Sequence, residues 1–469
     1  MSDPQEISTV YVDTEDLRLI RCGVTLRFRS DRGWIISLPV GEGERGTGAP
    51  TTDEVELPGT AGHAPGRAAD LVRAYSRVKP LVRVARLRTL RRRVALRGAD
   101  DRDLIEVVDD EVSVFDGRRI ALRFREITVG AEAPGSDDVL AAVTDRLRRS
   151  GAGPPDPTPV VVRALGPRAL DPPDVQPDAD LSRDAATRDV IANTLAGSVQ
   201  QLLARDPWVR RSRDPEDVHQ ARVAVRRLRS DLRTFRPLLD SVWQTALRDE
   251  LRWLGAELGD VRDVEVLRMR LGLRVDDLPP QEALPARRIL EDLDERHRVA
   301  RHDLLEAMAS ERYAVLLERL VDAAREPRIG PDATTPASHV LPELARGPWK
   351  HLQEAVAALG DNPPDEALHE VRIRAKRARY AAEAVAPSVG KPARRYARAV
   401  TRIQDVLGEH QDACIAGQWL RSVARDAPTP VVFAAGMMAE RERRAADRSR
   451  RRFPKAWRRL DAKKLRAWM

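Results

Sequence analysis

An eleven-residue pattern occurs twice in this chain, 150 residues apart: His219-Gln220-Ala221-Arg222-Val223-Ala224-Val225-Arg226-Arg227-Leu228-Arg229 and His369-Glu370-Val371-Arg372-Ile373-Arg374-Ala375-Lys376-Arg377-Ala378-Arg379. In both, a histidine opens the stretch and cations follow at i+3, i+7, i+8 and i+10. At about 100° per residue, His219, Arg222, Arg226, Arg229 and Arg233 fall within an arc of roughly 80° of a helix. Val218, Ala221, Val225, Leu228, Leu232 and Phe235 form a separate apolar face. In the second copy Leu368, Val371, Ala375, Ala378 and Ala382 pack, while His369, Arg372, Lys376 and Arg379 make the stripe. Glu383 stands where the first copy has Arg233, so the second stripe is shorter. Like charges one turn apart cost a helix a few tenths of a kcal/mol per pair, and no carboxylate offsets this in the first four positions of either stripe. A polyanionic ligand would offset it in both. Each opening histidine fits either a hydrogen bond near a helix start or a contact with phosphate.

The repeat extends further. Leu258-Gly259-Asp260-Val261-Arg262-Asp263 matches Leu407-Gly408-Glu409-His410-Gln411-Asp412 at an offset of 149. Glycine there permits a close helix crossing, and the aspartate can pair with a nearby arginine. A duplicated helical unit follows, and two pseudosymmetric bundles would bring the stripes together. The periodicity predicts helices over 181–205, 215–239, 243–270, 281–309, 311–325, 338–359, 365–386, 392–423 and 430–452, punctuated by prolines that include Pro279, Pro280, Pro363, Pro364, Pro387, Pro428 and Pro430. Ahead of residue 150 the alternation is that of strands: 7–12, 24–29, 34–38, 80–96, 104–112 and 120–129. Asp31-Arg32-Gly33 reads as a hairpin turn, 41–66 as a loop, 138–149 as an amphipathic helix, and the proline-rich 151–178 as a linker or irregular connection.

A chain of 469 residues is too long for one ordinary core. Charged residues make up 33% with a net charge of only +8, which hides segregation: acidic residues are spread and arginines cluster. Clustered arginine implies an anionic partner such as a phosphate polymer, nucleic acid or a membrane surface. The two cysteines, Cys22 and Cys414, suggest neither a disulfide framework nor a Cys-rich metal site. Without a signal-like start or a long apolar run, the expectation is a cytoplasmic protein with no membrane partner. No Gly-rich phosphate loop, nucleophile elbow or metal-ligand histidine set is present, so no catalytic residue, cofactor or metal is expected from motifs.

Several stretches of the first third resemble the CYTH family, a β-tunnel that hydrolyses or binds triphosphate compounds. They are Tyr11-Val12-Asp13-Thr14-Glu15-Asp16-Leu17-Arg18-Leu19, Gly23-Val24-Thr25-Leu26-Arg27-Phe28-Arg29, Leu38-Pro39-Val40, Val84-Ala85-Arg86-Leu87-Arg88-Thr89, Glu106-Val107-Val108-Asp109-Asp110 and Arg125-Glu126, within about 5–165. The family's opening Glu-x-Glu-x-Lys signature has no counterpart, because the chain begins too late to contain it. Ser37 replaces an expected cation, Ile127-Thr128-Val129-Gly130 an expected acidic alternation, and Val161-Val162 an expected Ser-Lys pair. Glu106, Asp109 or Asp110, and Glu126 are what remains to hold the divalent cations of a triphosphatase. Arg27, Arg29, Arg86 and Arg88 could still bind phosphate. The resemblance implies a degenerate domain, with a metal-dependent inorganic triphosphatase as the alternative.

The doubled His-x-x-Arg-x-x-x-Arg-Arg-x-Arg and Leu-Gly-x-x-Arg-Asp stretches resemble the CHAD family, the conserved-histidine α-helical domain, over about 181–465. The resemblance implies an all-α domain of two four-helix bundles that binds inorganic polyphosphate along a basic surface and central groove, in a bacterial CYTH–CHAD order. Carried over by position, the binding residues are His219, Arg222, Arg226, Arg229, His369, Arg372, Lys376 and Arg379, with Arg227, Arg233, Arg262 and Arg377 on the same stretches. Arg395, Arg398 and Arg402, and Arg448 and Arg452 from a basic C-terminal run, are accessory candidates. The chain is therefore expected to be a multidomain α+β protein. An N-terminal antiparallel β domain of the triphosphate-tunnel type (5–165) and a linker (166–180) precede an all-α domain (181–465) of two pseudosymmetric four-helix bundles, repeated over 181–325 and 338–465. Its expected activity is non-catalytic polyphosphate binding, with association with polyphosphate granules a consequence. Nucleic acid is the rival ligand: aromatics are only 4%, leaving few stacking platforms, yet an arginine stripe alone does not reject a duplex backbone.

Overall fold

The computed structural model of the chain describes residues 3–40, 52–98, 101–131, 136–182, 184–211 and 214–469. Its contacts divide it into two units, Met1–Asp174 and Val175–Met469.

In the first unit, alternating strands β1 (Gln5–Asp13), β2 (Thr25–Arg29), β3 (Gly33–Pro39), β4 (Thr52–Leu57), β5 (Val82–Arg97), β6 (Asp103–Asp116) and β7 (Arg119–Ala131) form one antiparallel sheet, ordered β4-β3-β2-β1-β5-β6-β7. Short helices α1 (Arg18–Arg21), α2 (Gly66–Leu71) and α3 (Arg73–Ser76) lie in its connections. The buried Asp13 carboxylate starts α1 by accepting the backbone N–H groups of Leu19 and Ile20 at 2.9 and 3.0 Å. The β2–β3 hairpin closes at Gly33, whose φ of +81° favours glycine, and an added Cβ would meet the Leu57 carbonyl at 2.9 Å. In β3, Trp34, Ile35, Ile36 and Leu38 are all buried, so both faces are covered and the alternation is weak in sequence.

Two sequence expectations need correction here. β4 lies inside the stretch read as a loop, of which 41–51 falls outside the described residues. Its residues Thr-Asp-Glu-Val-Glu-Leu look unlike a strand because its glutamates face arginines: Glu54 pairs with Arg27 and Arg32, Glu56 with Arg32. The proline-rich stretch after α4 (Asp137–Arg149) is not all linker. Helix α5 (Val160–Leu165) and the turn at Pro167–Leu170 bury Val161, Val162 and Ala169 beside Leu17. Arg21 donates to the Pro172 carbonyl and Arg77 pairs with Asp174, so this unit keeps the chain as far as Asp174.

The second unit is helical: α6 (Thr187–Arg211), α7 (Pro215–Thr234), α8 (Ser241–Asp276), α9 (Pro280–Ala309) and α10 (Glu311–Arg325), then α11 (Ala337–Val340), α12 (Arg346–Ala357), α13 (Asp365–Val389), α14 (Lys391–Val423) and α15 (Thr429–Leu460). Side-chain caps start three helices of the first repeat. Asp214 accepts from Glu216 N, Asp240 from Trp243 N and Ser310 from Tyr313 N, each cap worth about 1 kcal/mol. In the second repeat α13, α14 and α15 begin instead after Pro364, Gly390 and Pro428. Pro387 does not break α13, which runs through it to Val389; so near a helix end it forfeits one hydrogen bond, while Val385, Ala386 and Ser388 remain packed.

The repeats share apolar surface. One core joins Trp349, Leu352, Val371, Tyr396, Leu407 and Phe453 within the second repeat. Another is built from both: Leu267, Leu271 and Val275 of α8 and Ile289 and Leu293 of α9 pack with Ala416 and Leu420 of α14 and Val431, Ala434 and Met438 of α15. Among the described residues no helix is long and apolar enough to cross a membrane.

Candidate anion-binding cleft

The packing faces foreseen for α7 and α13 are buried: Val218, Ala221, Val225, Leu228 and Leu232 on one, Leu368, Val371, Ala375, Ala378 and Ala382 on the other. This turns the two basic stripes toward each other. They meet in a cleft of about 450 Å³ lined by His219, Arg222, Arg226, Arg262 and Arg270 from the first repeat and by His369, Arg372, Lys376, Gln411 and Asp412 from the second. Six cations and two carboxylates, Asp263 and Asp412, line it, so its field is positive.

Each stripe leans on the helix that follows it. The Arg222 Nη1 donates to the Gly259 carbonyl and to Asp263 Oδ1, both at 2.9 Å. A Cβ at residue 259 would lie 3.1 Å from that nitrogen. Gly259 thus makes room for an arginine head rather than for a crossing helix, which corrects the sequence reading, while the expected Asp–Arg pairing is present. At Gly408 the nearest Arg372 atom is 3.9 Å from the equivalent Cβ, a looser seat. His369 Nδ1 donates to Gln411 Oε1 at 2.7 Å. In the first repeat Arg262 takes that place and depresses the pKa of His219, after burial, which is the larger cause. Tyr380 lies under two guanidinium groups, Arg226 at 5.6 Å and Arg379 at 4.5 Å, and the ring's negative face eases their approach.

The cleft cations are not equally available. Arg222 is held by Asp263, Arg262 by Glu265 at 3.1 Å, and Arg270 by Glu409 at 2.8 Å and by the fully buried Glu442. Among the described residues no carboxylate lies within ion-pair distance of Arg226, Arg372 or Lys376. Burial and then the charges of Arg372, Arg226 and Arg222 bring the Lys376 ammonium down to about 8. Burial chiefly lowers Arg226, with Arg379, Arg222 and Arg372 adding to it. Burial also pushes Asp412 up. The arrangement suits several phosphoryl groups in a row; an anion would restore the charged forms of Lys376 and Arg226 that the cleft disfavours, and would keep Asp412 toward its neutral form.

The other predicted residues lie outside the cleft. Arg227 and Arg379 share Glu383, at 3.5 and 3.0 Å. Arg229, Arg233 and Arg377 lie further along α7 and α13. Arg395 and Arg398 line a separate hollow of about 600 Å³ with Lys391, Arg394 and Glu383. Arg402, Arg448 and Arg452 are exposed and line neither. Arg270 was missed in the sequence because no counterpart in the second copy flags it; Trp419 stands at the matching offset.

In the sheet unit the candidate metal carboxylates are each matched to an arginine. Glu106 pairs with Arg93, Asp109 with Arg125 at 2.6 Å, Asp110 with Arg91 at 2.7 Å, and Glu126 with Arg163. Asp110 and Glu126 sit opposite each other across β6–β7, whereas Asp109 points to the other face. The four arginines expected to line one tunnel also divide. Arg27 and Arg29 pair with Tyr11 and Thr9 on one face, while Arg86 and Arg88, opposite Val10 and Ser8, lie on the other, over Phe115. Ser37, at the expected cation position, accepts from Arg27 at 2.8 Å. Among the described residues, Asp365, His410 and Cys414 are a group whose donor atoms lie within 4.8 Å of one another. Arg450 already balances that aspartate, and burial pushes the Cys414 thiol up to about 12.

Comparison with known proteins agrees with this architecture. The CHAD domain family matches residues 193–421. Two proteins of Mycobacterium tuberculosis (strains CDC 1551 / Oshkosh and ATCC 25618 / H37Rv), both called uncharacterized, are 31% identical over 497 residues, covering 98% of this chain and 91% of theirs. Among solved structures, PptA from Streptomyces chartreusis is 26% identical with a TM-score of 0.50, covering 58% of this chain and 100% of that one. The CHAD domain from the plant Ricinus communis is 28% identical with a TM-score of 0.45, over 63% and 94%. The N-terminal antiparallel sheet is compatible with a CYTH-like tunnel, and the chain belongs to the CHAD-domain family.

Proposed function

We propose that this protein binds inorganic polyphosphate in the cleft between α7 and α13, without a covalent step. The observation that carries the reading is the convergence of both stripes on one cleft, where Arg226, Arg372 and Lys376 lack carboxylate partners among the described residues. Membership of the CHAD family, which is linked to polyphosphate binding, supports it. Arg222, fixed by Gly259 and Asp263, presents a preset guanidinium at one end, and His219 and His369 flank the two stripes. A polymer with a charge on every phosphoryl group satisfies several of these cations at once, and counterion release adds to the affinity. In the cell such a protein would collect at polyphosphate deposits.

The test is calorimetric titration of the full chain with long-chain polyphosphate at about 150 mM salt, with duplex DNA as competitor at matched phosphate concentration. Tight binding that DNA does not displace is expected. Ready displacement would make the cleft a general anion surface, and absence of binding would remove the reading.

A further inference from the structure

The stripe on α7 continues past the cleft. Arg229 lies against α8 at Gly255, where an added Cβ would come within 3.4 Å of its Nη1. One turn on stands Arg233. Arg248 and Arg252 approach from α8 and Arg377 from α13; burial and then these neighbours hold Arg233 at about 10. Among the described residues a single carboxylate pairs with any of the five, Asp249 with Arg252 at 2.9 Å. The pseudosymmetric corner is different. There Glu383 replaces Arg233 and binds both Arg379 and Arg227. The corner at Glu383 keeps a carboxylate between two of its arginines, with Lys391, Arg394, Arg395 and Arg398 beside it, whereas the corner of Arg233 gathers five guanidinium groups at a cost in repulsion.

We propose that the corner of Arg229, Arg233, Arg248, Arg252 and Arg377 is a second phosphate-binding station, reached by a polyphosphate chain that leaves the cleft along α7. The inference rests on the reading of the cleft as a polyphosphate site. Arg222 and Arg233 are about 16 Å apart along the helix axis. Tripolyphosphate is too short to occupy both stations, whereas a long chain fills them together, and its second contact is intramolecular.

The experiment compares the full chain with the double variant Arg248→Gln, Arg252→Gln. Affinities for tripolyphosphate and for long-chain polyphosphate are measured by calorimetry between about 50 and 200 mM salt. Long-chain affinity should fall about tenfold and its salt slope by about 1.4, for two contacts at about 0.7 each, with tripolyphosphate affinity unchanged. Unchanged long-chain affinity overturns the second station and leaves the cleft standing. Equal loss for both ligands overturns it too, because the corner is then not separable. If the unsubstituted chain binds neither ligand, the reading of the cleft falls as well. An equal loss for single-stranded DNA of matched length and starting affinity overturns the assignment to polyphosphate.

Discussion

The sheet of the first unit and the cleft of the second are both built on arginine, and they treat it in opposite ways. In the sheet, Arg27 has Glu54, Arg29 has Asp31, Arg91 has Asp110 and Arg125 has Asp109. Cross-strand register sets an acid opposite or diagonal to Arg27, Arg91 and Arg125, and the hairpin turn supplies one for Arg29. In the cleft, Arg226, Arg372 and Lys376 are crowded by one another and by no acid in contact. Arginine density alone therefore does not single out the cleft as the candidate site; buried cations left without an acid, at an energetic cost, do.

The strongest way to break this comparison is to invert the cleft. Arg226→Glu with Lys376→Glu should weaken long-chain polyphosphate binding about 100- to 1000-fold, the scale of lost charged contacts. The thermal midpoint should hold or rise, since repulsion is relieved. Undiminished affinity by calorimetry would end the assignment of the cleft. In the sheet the opposite pairing of effects is expected. Arg91→Ala strands the mostly buried Asp110, costing about 1–3 kcal/mol, or about 2–4 °C per kcal/mol for a unit of this size, with no change in polyphosphate affinity. An affinity loss there would mean that the sheet takes part in binding.

The smallest effect sharpens the contrast through pH. With Lys376 at about 8 in the free cleft, an anion must bring a proton with it at higher pH. Affinity should fall by up to about tenfold between pH 7 and pH 9, and proton uptake should appear as a buffer-dependent heat. Stability moves the other way. The unfolded lysine titrates near 10.4, so the native state releases its proton first, and the unliganded fold gains stability from about pH 8 to about pH 10. Lys376→Arg should flatten the binding trend; an unaltered trend would place the titrating group elsewhere.

Much of this is legible in the sequence alone. The helices of the second unit begin and end close to their prolines and caps, and the matched register of two stripes 150 residues apart foretold that they face one another. What stayed hidden depends on register between distant segments. Nothing in Thr52–Leu57 announces that its glutamates will neutralise Arg27 and Arg32. The parity that separates Arg86 and Arg88 from Arg27 and Arg29 exists only once β1 has paired on both sides. Gln411 stands where the first copy has Arg262, and only the structure gives it the partner role for His369. Arg248 and Arg252 could have been found, since Arg398 and Arg402 stand at the same offset of 150.

The core shared by the far ends of α8, α9, α14 and α15 has a consequence in time. Leu267, Leu271, Ile289 and Leu293 find their cover in Ala416, Leu420, Val431 and Met438. A ribosome adding about 5–20 residues per second needs on the order of ten seconds to go from Leu293 to Met438. Through that interval the first repeat waits with an apolar flank uncovered, and a chaperone has its window. The duplication made one domain that is finished late, not two that are finished in turn.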